Sequence, residues 1–304
     1  LSYWRKREEE NRKRLIKSNK KFMRELNKNH INAMKDIQKE VDAFYGRYAS
    51  KEGITMELAR QRVTKINIED YAAKAKRYVK EKNFTPTANE EMRLYNVTMR
   101  INRLELLKKN IELELLALYS NEEVMILDHF TKEALYEYER LSGILGVTVS
   151  SRKKALESLI NSSFKNATWS TRLWDNQDAL KLSLNRELNR AMMQGLNSKD
   201  TAKVIRDQFG ASVENSERLM VTEQARIRTQ IFEDSAKQMG FEEYEYLAEP
   251  TACDICADLD GQIFKLKDME IGVNACPMHP RCMCAHANHM DRDEWDEDLK
   301  ARGL

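Results

Sequence analysis

Cys253-Asp254-Ile255-Cys256, followed by Cys276-Pro277-Met278-His279-Pro280-Arg281-Cys282-Met283-Cys284, decides how the C-terminal part of this chain is read. The chain has 304 residues and 5 cysteines, and every cysteine lies in these two stretches. A C-x-x-C pair offers two thiolates from one tight turn. A second group about twenty residues on can complete a tetrahedron around a metal. An odd number of clustered cysteines argues against a scaffold of disulfide pairs. Zinc suits the set best, because it accepts sulfur and nitrogen together without redox chemistry.

The expected ligands are Cys253, Cys256 and His279, with the fourth supplied by Cys282 or Cys284. Cys276 reads as a bystander, and His286 and His289 as surface residues just outside the cluster. The site reads as structural. A catalytic zinc keeps one position open for water, whereas thiolates are plentiful here and no motif sets an acid or base beside them. Pro277 and Pro280 bracket His279 and imply little room for a substrate. A thioredoxin-like role needs the C-x-x-C to open a helix in a βαβ unit. Here the turn signal Asp260-Gly261 follows at once, and that role leaves the later cysteines without a job. Residues 248–290 hold few large apolar side chains. Leu259, Ile263, Phe264, Leu266 and Val273 make a thin core that a metal would staple.

Upstream of the cluster, Tyr244, Tyr246 and Ala248 alternate with Glu243, Glu245 and Leu247, the period of a short strand. Gly240 marks the end of a long helix opened by Ser212, and this helix carries Thr222, Glu223, Arg226 and Arg228. Ser198 opens a shorter helix expected to stop at Gly210, and residues 180–193 form another, ended by Gly195. Residues 143–180 are less regular: Val147, Thr148 and Val149 suit extended backbone, and Trp169, Thr171 and Trp174 suit a packing corner.

The N-terminal half is helical by its periodicity. Leu94, Val97, Ile101, Leu104, Ile111, Leu115 and Leu118 give residues 89–120 an apolar stripe, and residues 122–142 form the next helix. Residues 68–82 make a further helix capped by Asn67, before the Thr85-Pro86 break. Residues 3–45 read as one long polar helix broken at Gly46. The expected fold is therefore mainly α, with long amphipathic helices in the N-terminal half and a small α+β, zinc-stabilised C-terminal domain. The composition agrees: 33% charged residues with 10 glycines and 4 prolines favour long exposed helices over linker or low-complexity sequence. No run reaches the roughly 18 apolar residues of a membrane span.

The net charge of +2 says nothing of nucleic acid, but its distribution is uneven. Arg12, Lys13, Arg14, Lys17, Lys20, Lys21 and Arg24 form a run without an acid, and residues 291–304 form an acidic tail. The basic run is a candidate contact for double-stranded DNA or an acidic protein surface, against the plainer reading of a solvated helix face.

The order of a long helix with Thr222-Glu223, a strand, C-x-x-C, Leu259-Asp260-Gly261 with Phe264, and His279-Pro280-x-Cys282-x-Cys284 resembles the head morphogenesis domain of tailed-phage minor head proteins, the Mu-type family. The resemblance covers roughly residues 180–290. It implies a division into an elongated helical region over 1–160, a head morphogenesis-like domain with the zinc site over 161–290, and the acidic tail over 291–304. It implies a non-enzymatic minor capsid protein that associates with the portal protein inside the procapsid and aids head assembly or DNA delivery. The major capsid or scaffold protein and double-stranded DNA are further implied partners. Such a protein resides in the host cytoplasm during assembly and then inside the phage head. The alternative is a zinc-containing DNA-binding protein. The chain has no H-E-x-x-H, G-x-S-x-G or Walker loop, so no enzyme is expected.

Overall fold

Helices whose apolar stripes run on past expected breaks dominate the chain. A computed structural model describes residues 3–48, 77, 86–142, 153–194 and 198–289. The expected helix at 68–82 (Arg77 apart), the extended Val147–Val149 stretch, Gly195 and the acidic tail lie outside the described residues. The helices are α1 (Tyr3–Tyr48), α2 (Pro86–Leu141), α3 (Lys153–Ile160), α4 (Trp169–Gln194) and α5 (Ser198–Met239). After α5 come β1 (Glu243–Leu247), the short helix α6 (Asp254–Asp258), β2 (Ile263–Lys265), a 3₁₀ turn at Leu266–Asp268 and β3 (Ala285–His289). Among the described residues, no helix is long and apolar enough to cross a membrane. The fold is thus mostly helical with a small C-terminal sheet, as expected.

Three expected breaks do not occur. Residues 89–120 and 122–142 belong to the single helix α2, because the stripe Leu115, Leu118, Glu122, Ile126, Phe130 stays buried across Ser120-Asn121. Gly210 lies within α5; a helical glycine costs only about 1 kcal/mol against alanine, and Ile205, Phe209 and Ser212 are buried on either side of it. Gly46 lies inside α1, which runs on to Tyr48. Trp169 opens α4 and is buried edge-on to Phe130, with ring centroids 5.6 Å apart.

The chain divides into two compact units: Leu1–Asn27, Ser120–Asn176 and Val213–Leu304 in one, Lys28–Tyr119 and Gln177–Ser212 in the other. The second unit buries Ile37 and Val41 of α1, Ile111 and Leu115 of α2, Leu184 and Leu188 of α4, and Phe209 of α5. Two of its polar core members pair: the hydroxyls of Tyr119 and Ser212 lie 2.6 Å apart.

The first unit carries the sheet and two buried charge networks. Arg140 of α2 donates to Glu8 at 2.5 Å and to Glu137 at 2.7 Å, and Asn11 donates to Glu137 at 3.2 Å. Arg226 of α5 donates to Glu223 at 2.7 Å and to the carbonyls of Leu159 and Ile160, at 3.1 and 2.9 Å. Those carbonyls end α3 and have no partner within their own helix, so the guanidinium caps it. Gly240 (φ +81) closes α5 in a Schellman turn: Phe241 N–H reaches Ala236 O at 3.0 Å and Gly240 N–H reaches Lys237 O at 3.2 Å. This reversal delivers the chain into β1. The sheet is antiparallel in the order β2-β1-β3, with Tyr244 opposite Phe264 and Tyr246 opposite His286. Tyr244 and Tyr246 share a face, as the alternation requires, and Tyr244 packs on Phe232 of α5.

Candidate metal centre

The C-x-x-C pair sits on α6. Cys253 is the residue before its first turn, with extended backbone, and is exposed; Cys256 is fully buried within the helix. The Asp260-Gly261 turn follows, with Gly261 at φ +76. It is tied to the end of β1 by Gly261 N–H to Tyr246 O at 2.9 Å, and Asp260 Oδ1 accepts Ala248 N–H at 2.8 Å. The second stretch forms a tight loop in which Cys282 N–H donates to His279 O at 3.2 Å, with Arg281 at φ 64. Thr222 of α5 fixes this loop, because its hydroxyl accepts Arg281 N–H at 3.0 Å.

Two triads result. The ligand atoms of Cys253, Cys256 and His279 all lie within 4.8 Å of one another, as do those of Cys256, Cys282 and Cys284. Cys256 belongs to both. None of the five cysteines is disulfide-bonded. Cys256 Sγ and Cys282 Sγ are 3.9 Å apart, close to the roughly 3.8 Å edge of a tetrahedron built on zinc–sulfur bonds of about 2.3 Å. His279 Nδ1 lies 2.8 Å from Pro280 O. A carbonyl only accepts, so Nδ1 carries the proton and Nε2 keeps the lone pair a metal needs, the usual second-sphere pattern. Burial pushes the Cys256 and Cys276 thiols up. Cys282 goes the other way: hydrogen bonds from the Cys276 and then the Cys284 thiol hold it well below the usual thiol range, helped by the backbone N–H groups of Cys284 and Met278. The donor set fits a thiophilic divalent ion.

Several sequence expectations need correction. His286 is not a surface residue. It is buried on β3, its Nε2 accepts Cys276 N–H at 3.2 Å, and burial drives its pKa down to about 3, so the ring is neutral. Cys276 is buried in one apolar cluster with Tyr246, Cys256, Cys282 and Cys284, and neither triad includes it. Ile263 and Val273 are exposed, at 48% and 57%, and do not belong to the core, whereas Leu266 does. The thiols therefore occupy space that aliphatic side chains were expected to fill. His279 also has more room than its flanking prolines implied, since it borders a cleft of about 430 Å³ lined by Arg172, Thr222, Glu223, Pro277 and Pro280. Glu223 is no catalytic base there; it is fully buried and held by Arg172 and Arg226.

One family model covers much of this region. Residues 183–287 match the Phage Mu protein F like protein family. The match begins within α4 and ends within β3, and includes both cysteine stretches. No curated protein and no solved structure matches the chain. Members of the matched family are structural and morphogenesis proteins rather than catalysts, which agrees with the expectation of no enzymatic activity.

Of the basic run, Arg12 pairs with Glu249 at 3.6 Å, and Arg14 pairs with Glu133 at 2.7 Å while stacking on Tyr136 at 3.7 Å. Lys13, Lys17, Lys20, Lys21 and Arg24 are exposed. Their spacing of four, three, one and three puts these five on one face of α1. What sequence reading missed was Tyr246, whose fully buried hydroxyl meets the thiol cluster. The alternation of Tyr244 and Tyr246 fixes their shared face but not what lies opposite.

Proposed function

We propose that the chain is a minor capsid protein of a tailed phage that acts in head morphogenesis, bound to the portal protein inside the procapsid and aiding head assembly or DNA delivery. The observation that carries this reading is the family match over residues 183–287, which includes the whole cysteine and histidine cluster. On the same reading a structural zinc ion is held by Cys253, Cys256 and His279, with Cys282 as fourth ligand in preference to Cys284. The choice rests on the 3.9 Å spacing from Cys256 and on the hydrogen bonds that favour a thiolate at Cys282. Zinc would close the loop from α6 to β3, where aliphatic packing is thin, and would contribute to folding directly.

The contact surface proposed for the portal, or for double-stranded DNA, is the exposed face of α1 with Lys13, Lys17, Lys20, Lys21 and Arg24. Arg12 and Arg14 would shape that face from within their ion pairs. The major capsid or scaffold protein is a further proposed partner, and the virion interior the proposed site of action, after assembly in the host cytoplasm. Co-expression with a portal protein encoded in the same genome tests the proposal. The expected result is co-purification from procapsids, weakened when the five exposed cations are replaced by glutamine. Failure of the two proteins to associate, either free or in procapsids, would overturn it. Duplex binding without portal binding, with log affinity falling by about 0.9 per log salt for each phosphate contacted, would favour a zinc-containing DNA-binding protein instead.

A further inference from the structure

We propose that the cluster is a two-metal centre in which Cys256 and Cys282 are thiolates shared between two ions. This rests on the metal reading above and extends it. Two tetrahedral ions offer eight coordination positions. The six side chains Cys253, Cys256, Cys276, His279, Cys282 and Cys284 fill all eight when two of the thiolates bridge. One ion then takes Cys253 and His279 as its own ligands, the other Cys276 and Cys284.

Three observations support this count over a single ion. First, the ligand atoms form two triads that have only Cys256 in common. One ion seated among Cys253, Cys256 and His279 leaves both Cys282 and Cys284 outside its triad, and one seated in the second leaves Cys253 and His279 idle; Cys282 reaches the outer ion only through its place beside Cys256. Second, the sulfurs assigned as bridges are the pair at 3.9 Å, and Cys276 completes the deeper site from within the same buried cluster as Cys282 and Cys284. Third, the Tyr246 hydroxyl is fully buried among these sulfurs, against those of Cys256 and Cys284. Metal-bound thiolates at the deeper site would give it acceptors, the kind of second-sphere contact that orients ligands. Charge is acceptable as well: five thiolates, a neutral imidazole and two divalent cations sum to a single negative charge.

The test is metal stoichiometry of the full chain, purified under reducing conditions without added metal, followed by exchange into ¹¹³Cd. The expected result is two equivalents of zinc and two ¹¹³Cd resonances that are scalar-coupled through the shared sulfurs. Cys276→Ser should drop the content to about one equivalent and abolish the coupling. One equivalent in the unaltered chain overturns the two-metal centre and leaves the single-zinc reading standing. No zinc in chain that still resists protease overturns both. Two equivalents with uncoupled resonances overturn the bridging arrangement. The unaltered chain decides the matter even if the serine variant does not fold.

Discussion

Replacing Arg226 by methionine should destabilise the first unit by roughly 4 kcal/mol, the middle of the range for breaking a buried ion pair by removing one partner. Arg226 is 1% exposed and makes five hydrogen bonds: to Glu223, the carbonyls of Leu159 and Ile160, Ser162 Oγ and Gln230 Oε1. Methionine nearly fills the volume but strands a fully buried carboxylate and uncaps α3. Arg172 remains beside Glu223, but it is 27% exposed and supplies only one side of the carboxylate. The uncapped Ile160 carbonyl would cost about 1–3 kcal/mol if water could not reach it, whereas Leu159 O keeps the Ser162 hydroxyl at 2.9 Å; the place at a helix end makes partial hydration easy, so the total should not approach the simple sum. Urea unfolding followed by circular dichroism measures the loss, and Trp169, whose Nε1 donates to Asn161 at 3.2 Å beside this network, gives a local fluorescence signal. The double variant Glu223→Leu with Arg226→Met should be more stable than Arg226→Met alone, because the stranded charge is gone. A loss under about 1 kcal/mol for Arg226→Met, or strict additivity in the double variant, would refute the reasoning.

Two further outcomes are expected. Burial alone would raise the pKa of Glu137, but Arg140 and then Arg228 more than offset it and hold it at about 2. A carboxylate depressed below its unfolded value stabilises above about pH 4.5 and loses that contribution as pH falls toward the folded value. Burial raises its neighbour Glu8, which opposes this, so urea midpoints should fall by a net ~1–3 kcal/mol equivalent between pH 5 and pH 2.5. Glu137→Gln should be less stable at pH 7 and flatter in pH; an unchanged slope would count against the network. Thr222→Val removes the acceptor for Arg281 N–H at a cost of about 1 kcal/mol, and zinc release to a chelator should quicken roughly fivefold by that energy. An unchanged release rate would detach α5 from control of the loop.

Much of this architecture was legible because it rests on local chemistry. Ser198 does open α5, and Gly240 adopts the left-handed conformation that ends it. The two tyrosines of β1 alternate as a strand must, and the C-x-x-C turn lies where its spacing put it. The errors share one cause. Glycines 46 and 210 and the Ser120-Asn121 pair signal breaks through their own propensities, which are worth about 1 kcal/mol or less. A continuous buried stripe outweighs that cost. Non-local facts were out of reach for a related reason. Nothing within a few residues of Cys276 or His286 says that the backbone of one donates to the ring of the other. Nor does the pattern around Arg226 reveal that its guanidinium ends a helix 66 residues earlier, which follows only once α3 is packed on α5.

The placing of the loop by α5 explains why Thr222 and Glu223, adjacent on one helix, can serve different ends. Successive helical residues point about 100° apart, so neighbours face different surroundings. Thr222 faces the His279–Cys282 loop and holds it through Arg281 N–H, while Glu223 turns inward to Arg226 and Arg172. The helix thereby sets the position of the loop without giving up a metal ligand. Ligands on a loop are placed only as well as their support is rigid, and here the support is a 42-residue helix buried along most of its length near the site. Metal loss should therefore loosen the segment from α6 to β3 while the contacts of α5 with α3 persist, since the Arg226 guanidinium and the carbonyls that join those helices share no atom with the thiol cluster.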